Sequence, residues 1–306
     1  MTILKVDGLT KEYRNHKVVD EISFSLNKGE IFAFLGRNGA GKSTTINMLT
    51  GILKPTRGSI EIFDQPYQNL NRIKSRMGVL PDNSNYYNDM TALQHMFFFA
   101  RIKGFGTNKK AMLKLLEEVG LGEHANKKVG KFSLGMKKKL GIAQALIGSP
   151  ELLFLDEPTS TLDIESSIII RDLILKWASQ GTTVFMTSHN LDEVERVCSR
   201  IAILHKGKIE KIGSMKELQQ SHDEHVRLKI KYQSNTENEF QLWMNEVNQF
   251  AEIAAWNNEW VELNITNEGV IPHIVNGAVR YHLDLFRIEV EHTSLETIFV
   301  NHENKD

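Results

Sequence analysis

An apolar stretch that runs directly into a glycine-rich loop constrains this chain more than any other feature. The stretch Ile31–Leu35 has the length and composition of a buried strand, and the loop after it is Gly36-Arg37-Asn38-Gly39-Ala40-Gly41-Lys42-Ser43, followed by Thr44. The loop matches the pattern G-x-x-x-x-G-K-[ST]. Glycine has no Cβ, so the backbone N–H groups of such a loop can approach a bound anion closely. The pattern predicts a strand, an anion-binding loop and a helix that begins at the loop.

The residues that close the loop indicate which anion it binds. Lys42 can reach terminal phosphates, the hydroxyl of Ser43 suits Mg²⁺, and the N-terminus of the following helix adds partial positive charge. We therefore predict a site for a nucleoside triphosphate with Mg²⁺. The predicted contacts are Gly36, Asn38, Gly39, Ala40, Gly41, Lys42, Ser43 and Thr44.

A second apolar strand, Leu152–Asp156, ends in two carboxylates. Asp156 at the end of a strand beside a phosphate loop can hold Mg²⁺ through water, and Glu157 can polarise the water that attacks the γ-phosphate. An apolar strand that ends in Asp-Glu is common by itself, and the phosphate loop is what gives this pair its functional interpretation. His189 follows another strand, Thr182–Thr187, and is a candidate for orienting that water, although a lone histidine is more often structural.

The order of the predicted elements indicates the fold class. Short apolar strands alternate with longer helical patterns over the first 220 residues, which predicts an α/β fold with a largely parallel sheet. A polar stretch at residues 219–224 marks a boundary, and the remainder has the order β-α-β-β-α-β of a small split sheet, with a closing helix from Ser294. We expect one domain at 1–220 and an accessory α+β domain at 221–306.

Composition excludes several classes of function. Hydrophobic residues make up 41% and charged residues 25% of the 306 residues, and the net charge of -1 does not favour a nucleic-acid partner. The longest apolar runs have the length of strands, so we expect no signal peptide and no membrane span; a transport role would need a separate membrane protein. Cys198 is the single cysteine, which excludes an intramolecular disulfide and favours a packed thiol in a reducing compartment.

The segment Phe132-Ser133-Leu134-Gly135-Met136-Lys137-Lys138-Lys139-Leu140 resembles the signature motif of ATP-binding cassette (ABC) proteins. The resemblance covers residues 3–215 and implies a P-loop ABC cassette with a mixed sheet core and a helical subdomain at about 85–150. It implies that ATP lies between two cassettes, with Ser133 and Gly135 contacting the γ-phosphate held by the other one. It also implies that Tyr13 stacks on adenine, that Ser160–Asp163 is the D-loop, which contacts the opposite cassette, and that His189 is the switch histidine.

Two positions depart from the family pattern. Asp82 follows Pro81 where the family most often has glutamine; a carboxylate there can still meet Mg²⁺-bound water, so Asp82 joins Ser43 and Asp156 as a predicted metal contact. The signature has Leu134 and Met136 in place of the commoner Gly and Gln, a variation found in exporter-type cassettes.

The resemblance also implies a function. The ending His292–Phe299 resembles that of bacterial drug, antibiotic and peptide exporter ATPases, and Phe97–Phe99 with Tyr86–Tyr87 is expected to line the groove that receives a membrane permease. The expected protein is the ATP-hydrolysing subunit of a bacterial exporter, at the cytoplasmic face of the membrane, with a permease and a second cassette as partners. A soluble ABC ATPase acting on ribosomes or DNA, and an importer ATPase, are the alternatives.

Overall fold

The computed structural model describes residues 1–82, 85–220 and 226–291. The chain forms two compact units, Met1–Met215 and a second that begins at Lys216, a few residues before the boundary expected from composition. Within the described ranges, no helix has the length and apolar character needed to cross a bilayer.

The first unit alternates strands and helices along the chain. Its strands are β1 (Thr2–Tyr13), β2 (His16–Asn27), β3 (Ile31–Leu35), β4 (Arg57–Ile62), β5 (Gln65–Pro66), β6 (Met77–Leu80), β7 (Leu152–Asp156), β8 (Thr183–Ser188), β9 (Arg200–His205) and β10 (Lys208–Ser214). Its helices are α1 (Lys42–Leu49), α2 (Leu70–Ile73), α3 (Ala92–Ile102), α4 (Lys109–Glu118), α5 (Leu134–Ala145), α6 (Ile164–Ser179) and α7 (Leu191–Val197), and α8 (Met215–Gln220) follows at the boundary.

Two sheets form the core of this unit. The larger has the order β10-β9-β3-β8-β7-β6 and is parallel except for β10, while β2, β1, β4 and β5 form an antiparallel sheet. The strands β3, β7 and β8 are buried along their whole length, because both faces of a parallel sheet are covered and its strands are continuous apolar runs. The predicted α/β fold with a mixed sheet is confirmed.

Aromatic packing joins the two sheets. Phe24 of β2 and Phe34 of β3 have ring centroids 4.9 Å apart, and Phe34 is equally close to Phe185 of β8. Fully burying such a side chain contributes about 1.5–3 kcal/mol. This cluster holds β3 in the middle of the larger sheet, and with it the loop that follows β3.

The helical segment α3–α5 lies in the chain between β6 and β7. Helix α3 begins at Ala92, because the Thr91 hydroxyl accepts a hydrogen bond from the N–H of Gln94 and the side-chain oxygen of Gln94 accepts one from the N–H of Thr91. The ammonium group of Lys103, after the last turn of α3, donates to the carbonyls of Met77 and Ile147, which ties this segment to the larger sheet.

Asn190, the N-cap of α7, forms only half of a capping box with Glu193. The side chain of Asn190 accepts from the N–H of Glu193, as at an ordinary N-cap. The N–H of Asn190 donates to the hydroxyl of Ser188 and not to the carboxylate of Glu193, which accepts from the hydroxyls of Thr159 and Ser188. Cys198, just beyond α7, is buried, and burial raises the pKa of its thiol well above the usual value. It is a packed thiol.

The second unit has the predicted order of elements. These are β11 (Val226–Gln233), α9 (Glu237–Val247), β12 (Ala251–Trp256), β13 (Trp260–Ile265), α10 (Ile271–Arg280) and β14 (Asp284–Glu291). The sheet order is β12-β13-β11-β14 with antiparallel neighbours, so β13 lies between β11 and β12. Trp243 is fully buried at its core and donates to the carbonyl of Ile274 at 3.1 Å. The predicted closing helix from Ser294 and the stretch His292–Phe299 lie outside the described residues.

Candidate active site

Three neighbouring parallel strands bring the predicted catalytic residues to one edge of the sheet. The last residue of β3, Leu35, pairs with Ser188 of β8, and Asp156 of β7 pairs with Thr187. The phosphate loop, Glu157 and His189 each follow one of these strand ends. Ligands of α/β proteins bind at this carboxyl edge.

Backbone geometry in the phosphate loop requires glycine at two positions. Gly41 has φ +103°, in the left-handed region, and a Cβ there would lie 2.7 Å from the carbonyl of Val18. A Cβ on Gly36 would lie 2.6 Å from the carbonyl of Leu204. The loop borders a pocket of about 170 Å³. The residues lining it are Val18, Arg37, Asn38, Gly39, Gly41, Lys42, Ser43, Thr44, Asp82 and Glu157.

Lys42 is the first residue of α1, and its side chain turns back under the loop. It is only 6% exposed, its ammonium group donates to the carbonyl of Gly36, and Nζ lies 3.3 Å from Oε1 of Glu157. The backbone therefore holds a positive charge at the floor of the loop, against the acidic end of β7.

The donors around Asp156 suit Mg²⁺. Asp156 is 3% exposed, and burial raises the pKa of its carboxyl, while hydrogen bonds from Thr187 and Ser43 act in the opposite direction. Thr187 Oγ1 donates to Asp156 Oδ1 at 2.5 Å. The carboxylate of Asp82 is close enough to add repulsion. Hard oxygen donors of this kind, in a site where burial disfavours the free carboxylate, fit a divalent cation that keeps several of its waters.

Glu157 has an unusual backbone and two positively charged or protonatable neighbours. Its φ is +51°, and its N–H donates to Thr187 Oγ1 at 3.0 Å. One carboxylate oxygen faces Lys42, and the other lies 2.8 Å from Nδ1 of His189. The pair Glu157 and His189 forms one end of a groove of about 390 Å³ that also includes Ser160. A carboxylate held in this way can accept a proton from a water molecule at the pocket.

Two supporting residues were not predicted from the sequence. Thr187 contacts both carboxylate residues, and Glu193 holds the hydroxyls of Ser188 and Thr159 on either side of the groove. Burial raises the pKa of Glu193. The position of Thr187 at the end of a predicted strand was the available signal for the first, and nothing in the local pattern marks the second.

Lys138, in the second turn of α5, also approaches this edge. It is 7% exposed, and its Nζ donates to the carbonyl of Asp156 at 3.1 Å. Burial lowers the pKa of its ammonium group, and nearby carboxylates oppose that shift.

Ser133 and Gly135 lie outside the phosphate-loop pocket of their own chain. Ser133 is the N-cap of α5 and accepts from the N–H of Met136 at 3.2 Å, so the first turn of α5 presents a hydroxyl and free N–H groups. A Cβ on Gly135 would lie 3.3 Å from Leu162 of the D-loop segment. Neither Ser133 nor Gly135 is among the described residues that line the phosphate-loop pocket, so neither is placed to contact a phosphate held by its own chain's loop.

Comparison with known proteins decides the family. The model of the ABC transporter family matches residues 19–160. The bacitracin transport ATP-binding protein BcrA of Bacillus licheniformis is 36% identical over 98% of this chain and 96% of its own length. This chain belongs to the ABC transporter ATP-binding proteins. The linearmycin resistance ATP-binding protein LnrL of Bacillus subtilis is 32% identical over 98% of this chain and 97% of its own length.

Solved ABC cassettes share the fold of the first unit. The ATP-binding subunit of an ABC transporter superposes with a TM-score of 0.66 at 28% identity, covering 72% of this chain and 92% of its own. A dimeric post-hydrolysis cassette bound to ADP and Pi has a TM-score of 0.66 at 25% identity. The match covers 70% of this chain and 99% of that cassette's chain. The chain is an ABC-type ATPase.

The family's adenine-stacking residue remains a prediction for this chain. Tyr13 ends β1, its ring is exposed, and Nζ of Lys11 lies 4.9 Å from the ring centroid. Tyr13 is not among the described residues that line the phosphate-loop pocket. An exposed aromatic ring beside a cation is suited to stacking on a nucleobase.

Replacing Asp156 with asparagine is expected to stabilise the nucleotide-free chain. The buried carboxylate has a raised pKa because its charge is poorly solvated, and asparagine keeps the shape and an acceptor for Thr187 without the charge. The expected gain is about 1 kcal/mol in the free energy of unfolding. Calorimetry without nucleotide or Mg²⁺ measures it. Asp284→Asn, at an exposed strand position, should change the free energy of unfolding by less than about 0.5 kcal/mol. A less stable Asp156→Asn variant would contradict the argument.

Proposed function

We propose that this ATPase hydrolyses Mg-ATP at a site completed by a second cassette, and that the cycle drives export through a separate membrane permease. The observation that carries the proposal is the division of the site. Lys42, Asp156, Glu157 and His189 converge at one sheet edge, whereas Ser133, at the start of α5, is not among the described residues that line the pockets at that edge.

Each residue has a proposed role in hydrolysis. Lys42 binds the terminal phosphates together with the loop N–H groups, and Ser43, Asp156 and Asp82 hold Mg²⁺, directly or through its waters. Bound Mg²⁺ supplies neutralisation of charge on the phosphates. Glu157 accepts the proton of the attacking water, and His189 keeps the Glu157 carboxylate oriented and contacts the γ-phosphate.

The second cassette supplies what one chain lacks. In the proposed dimer, Ser133 and Gly135 of each cassette contact the γ-phosphate bound by the other, and the D-loops meet between them. The dimeric cassette found among the structural relatives supports this arrangement. An identical chain is the simplest partner, and a close relative is the other. The two cassettes would then close when ATP binds and open after hydrolysis. This shift between closed and open dimers would change the conformation of the bound permease.

Replacing Glu157 with glutamine should separate binding from hydrolysis. Loss of the proton acceptor should lower turnover by about 10²–10⁴-fold, while the loop and Lys42 still bind ATP. With saturating Mg-ATP, light scattering should show a dimer that persists, and without nucleotide a monomer. Turnover near that of the unaltered chain would contradict the role of Glu157, and a monomer under saturating ATP would contradict the shared site.

The proposed permease contact is an aromatic surface beside the loop that contains Asp82. Tyr87 is 50% exposed and packs edge-on against Phe98 at 5.0 Å between centroids. Tyr86 faces inward, because its hydroxyl would lie 2.6 Å from a Cβ on Gly141. Of the two tyrosines, Tyr87 is thus the one that a partner can reach, and Phe97–Phe99 are half-buried in α3.

The names of full-length relatives support export. They include subunits named for bacitracin transport and linearmycin resistance, and a cassette named for Nod factor export matches 68% of this chain at 37% identity. We propose a small bacterial natural product as the type of cargo and the cytoplasmic face of the membrane as the location. The soluble-ATPase alternative finds no support among these relatives.

Replacing Tyr87 with aspartate should release the permease without affecting nucleotide binding. A charge in the middle of an apolar contact is costly to desolvate. Tyr87 is not among the described residues that line the phosphate-loop pocket, so nucleotide binding should persist. The measurement is co-purification of the permease with the tagged chain, together with binding of a fluorescent ATP analogue. Ile102→Asp, at the exposed far end of α3, is the matched control. Undiminished co-purification of the Tyr87→Asp variant would remove Tyr87 from the interface.

A further inference from the structure

A buried lysine connects the helix of the signature motif to the catalytic strand end of the same chain. Lys138 lies in the second turn of α5, the helix that begins at Ser133 and Gly135. Its side chain extends into the unit, where Nζ donates to the carbonyl oxygen of Asp156 at 3.1 Å. Lys138 is not among the described residues that line the phosphate-loop pocket, so its ammonium group is directed at protein backbone.

The carbonyl that Lys138 contacts belongs to the peptide unit joining Asp156 to Glu157. The N–H of that same peptide unit donates to Thr187 Oγ1 at 3.0 Å. The peptide is therefore held from both sides, by Lys138 at its C=O and by Thr187 at its N–H. It precedes a residue with φ +51°, a conformation that a non-glycine residue adopts only when its surroundings impose it.

The orientation of this peptide sets the direction of the Glu157 side chain. Glu157 reaches Lys42 at 3.3 Å and His189 at 2.8 Å only while its backbone keeps the left-handed conformation. A rotation of the peptide plane would swing the carboxylate away from the phosphate loop. Displacements of about 1 Å can lower a rate by about 100-fold.

We propose that Lys138 is a positioning residue that fixes the Asp156–Glu157 peptide and so links the signature helix to the catalytic carboxylate of its own chain. The inference rests on the proposed role of Glu157. Through this bond, a movement of α5 caused by the nucleotide of the opposite cassette is transmitted to Glu157 of this one. Each chain of the dimer thereby links the ATP site that its α5 contacts on the opposite cassette with the ATP site that contains its own Glu157.

Burial lowers the pKa of the Lys138 ammonium group, and the carboxylates around it oppose that shift. The carboxylates of Asp82, Asp156, Glu157 and Glu193 all act on the Lys138 ammonium group. Several carboxylates gathered at one sheet edge repel each other, and a buried positive charge among them reduces that repulsion. Methionine has a similar length without charge or donor, and glutamine retains an N–H donor without charge.

The test compares Lys138→Met and Lys138→Gln with Lys137→Met, which changes the preceding lysine of the same helix, and with Glu157→Gln. Hydrogen–deuterium exchange of the full nucleotide-free chain is followed in the peptide covering residues 156–160, and needs no turnover. ATP turnover and binding of a fluorescent ATP analogue are measured on the same samples.

Lys138→Met is expected to speed exchange at residues 156–160 by about ten-fold or more, because one side of the peptide is released. It should lower kcat by about 10–100-fold while KM changes less than about three-fold, and analogue binding should persist. Lys138→Gln should recover part of both effects, and Lys137→Met should resemble the unaltered chain. If Lys138→Met does not fold, Lys138→Gln is compared with Lys137→Met and with the unaltered chain instead.

Three results would overturn the proposal. The first is unchanged exchange at residues 156–160 in Lys138→Met, or in Lys138→Gln if only that variant folds. The second is a loss of activity matched by an equal loss of analogue binding, as a general structural role would give. The third is a Lys138→Gln variant with no recovery in either readout. A failure of the Glu157 assignment is distinguishable, because Glu157→Gln would then keep its turnover whatever Lys138 does.

Discussion

The structure depends on three parallel strands that end side by side in the larger sheet. Because β3, β7 and β8 are in register, the residues after Leu35, Asp156 and Ser188 meet without long loops. Cross-strand packing fixes that register: Phe32, Phe185 and Phe154 are paired neighbours on one face of the sheet, and a slip by one residue would place one of these rings on the opposite face. The phosphate loop, the two carboxylates and the histidine are placed by the core of the fold.

The same arrangement leaves charge that the protein alone does not fully compensate. Burial raises the pKa of Asp156 and of Glu193, and Lys42 and Lys138 are the buried cations near them. A site of this kind is destabilised without its cation and stabilised with it, which is the usual relation between stability and function at an active site. In the proposed dimer, Ser133 of the second cassette contacts the nucleotide held at this edge, so the two cassettes would bind each other only when nucleotide is present.

Sequence patterns predicted the parts of the site that depend on local chemistry. The bounds of β3 and β7 agree with prediction residue for residue, because continuous apolar runs bounded by glycine or charge are unambiguous, and β8 lies one residue further along than predicted. Lys138 and Thr187 were not predicted, because their roles depend on contacts between elements distant in sequence. Three consecutive lysines, 137–139, give no local sign that the middle one is buried. The proposed contact of Asp82 with Mg²⁺ likewise depends on Ser43 and Asp156, which are distant from it in sequence.

The claim most central to this account is that each copy of the chain completes the site of the other, and mixed dimers test it directly. A chain with Lys42→Met keeps an intact Ser133, and a chain with Ser133→Arg keeps an intact Lys42; a dimer of the two has one complete shared site. The measurement is ATP turnover of each variant alone and of the mixture. Each variant alone should be inactive, and the mixture should recover activity. Turnover in the mixture no higher than in the separate variants would contradict it.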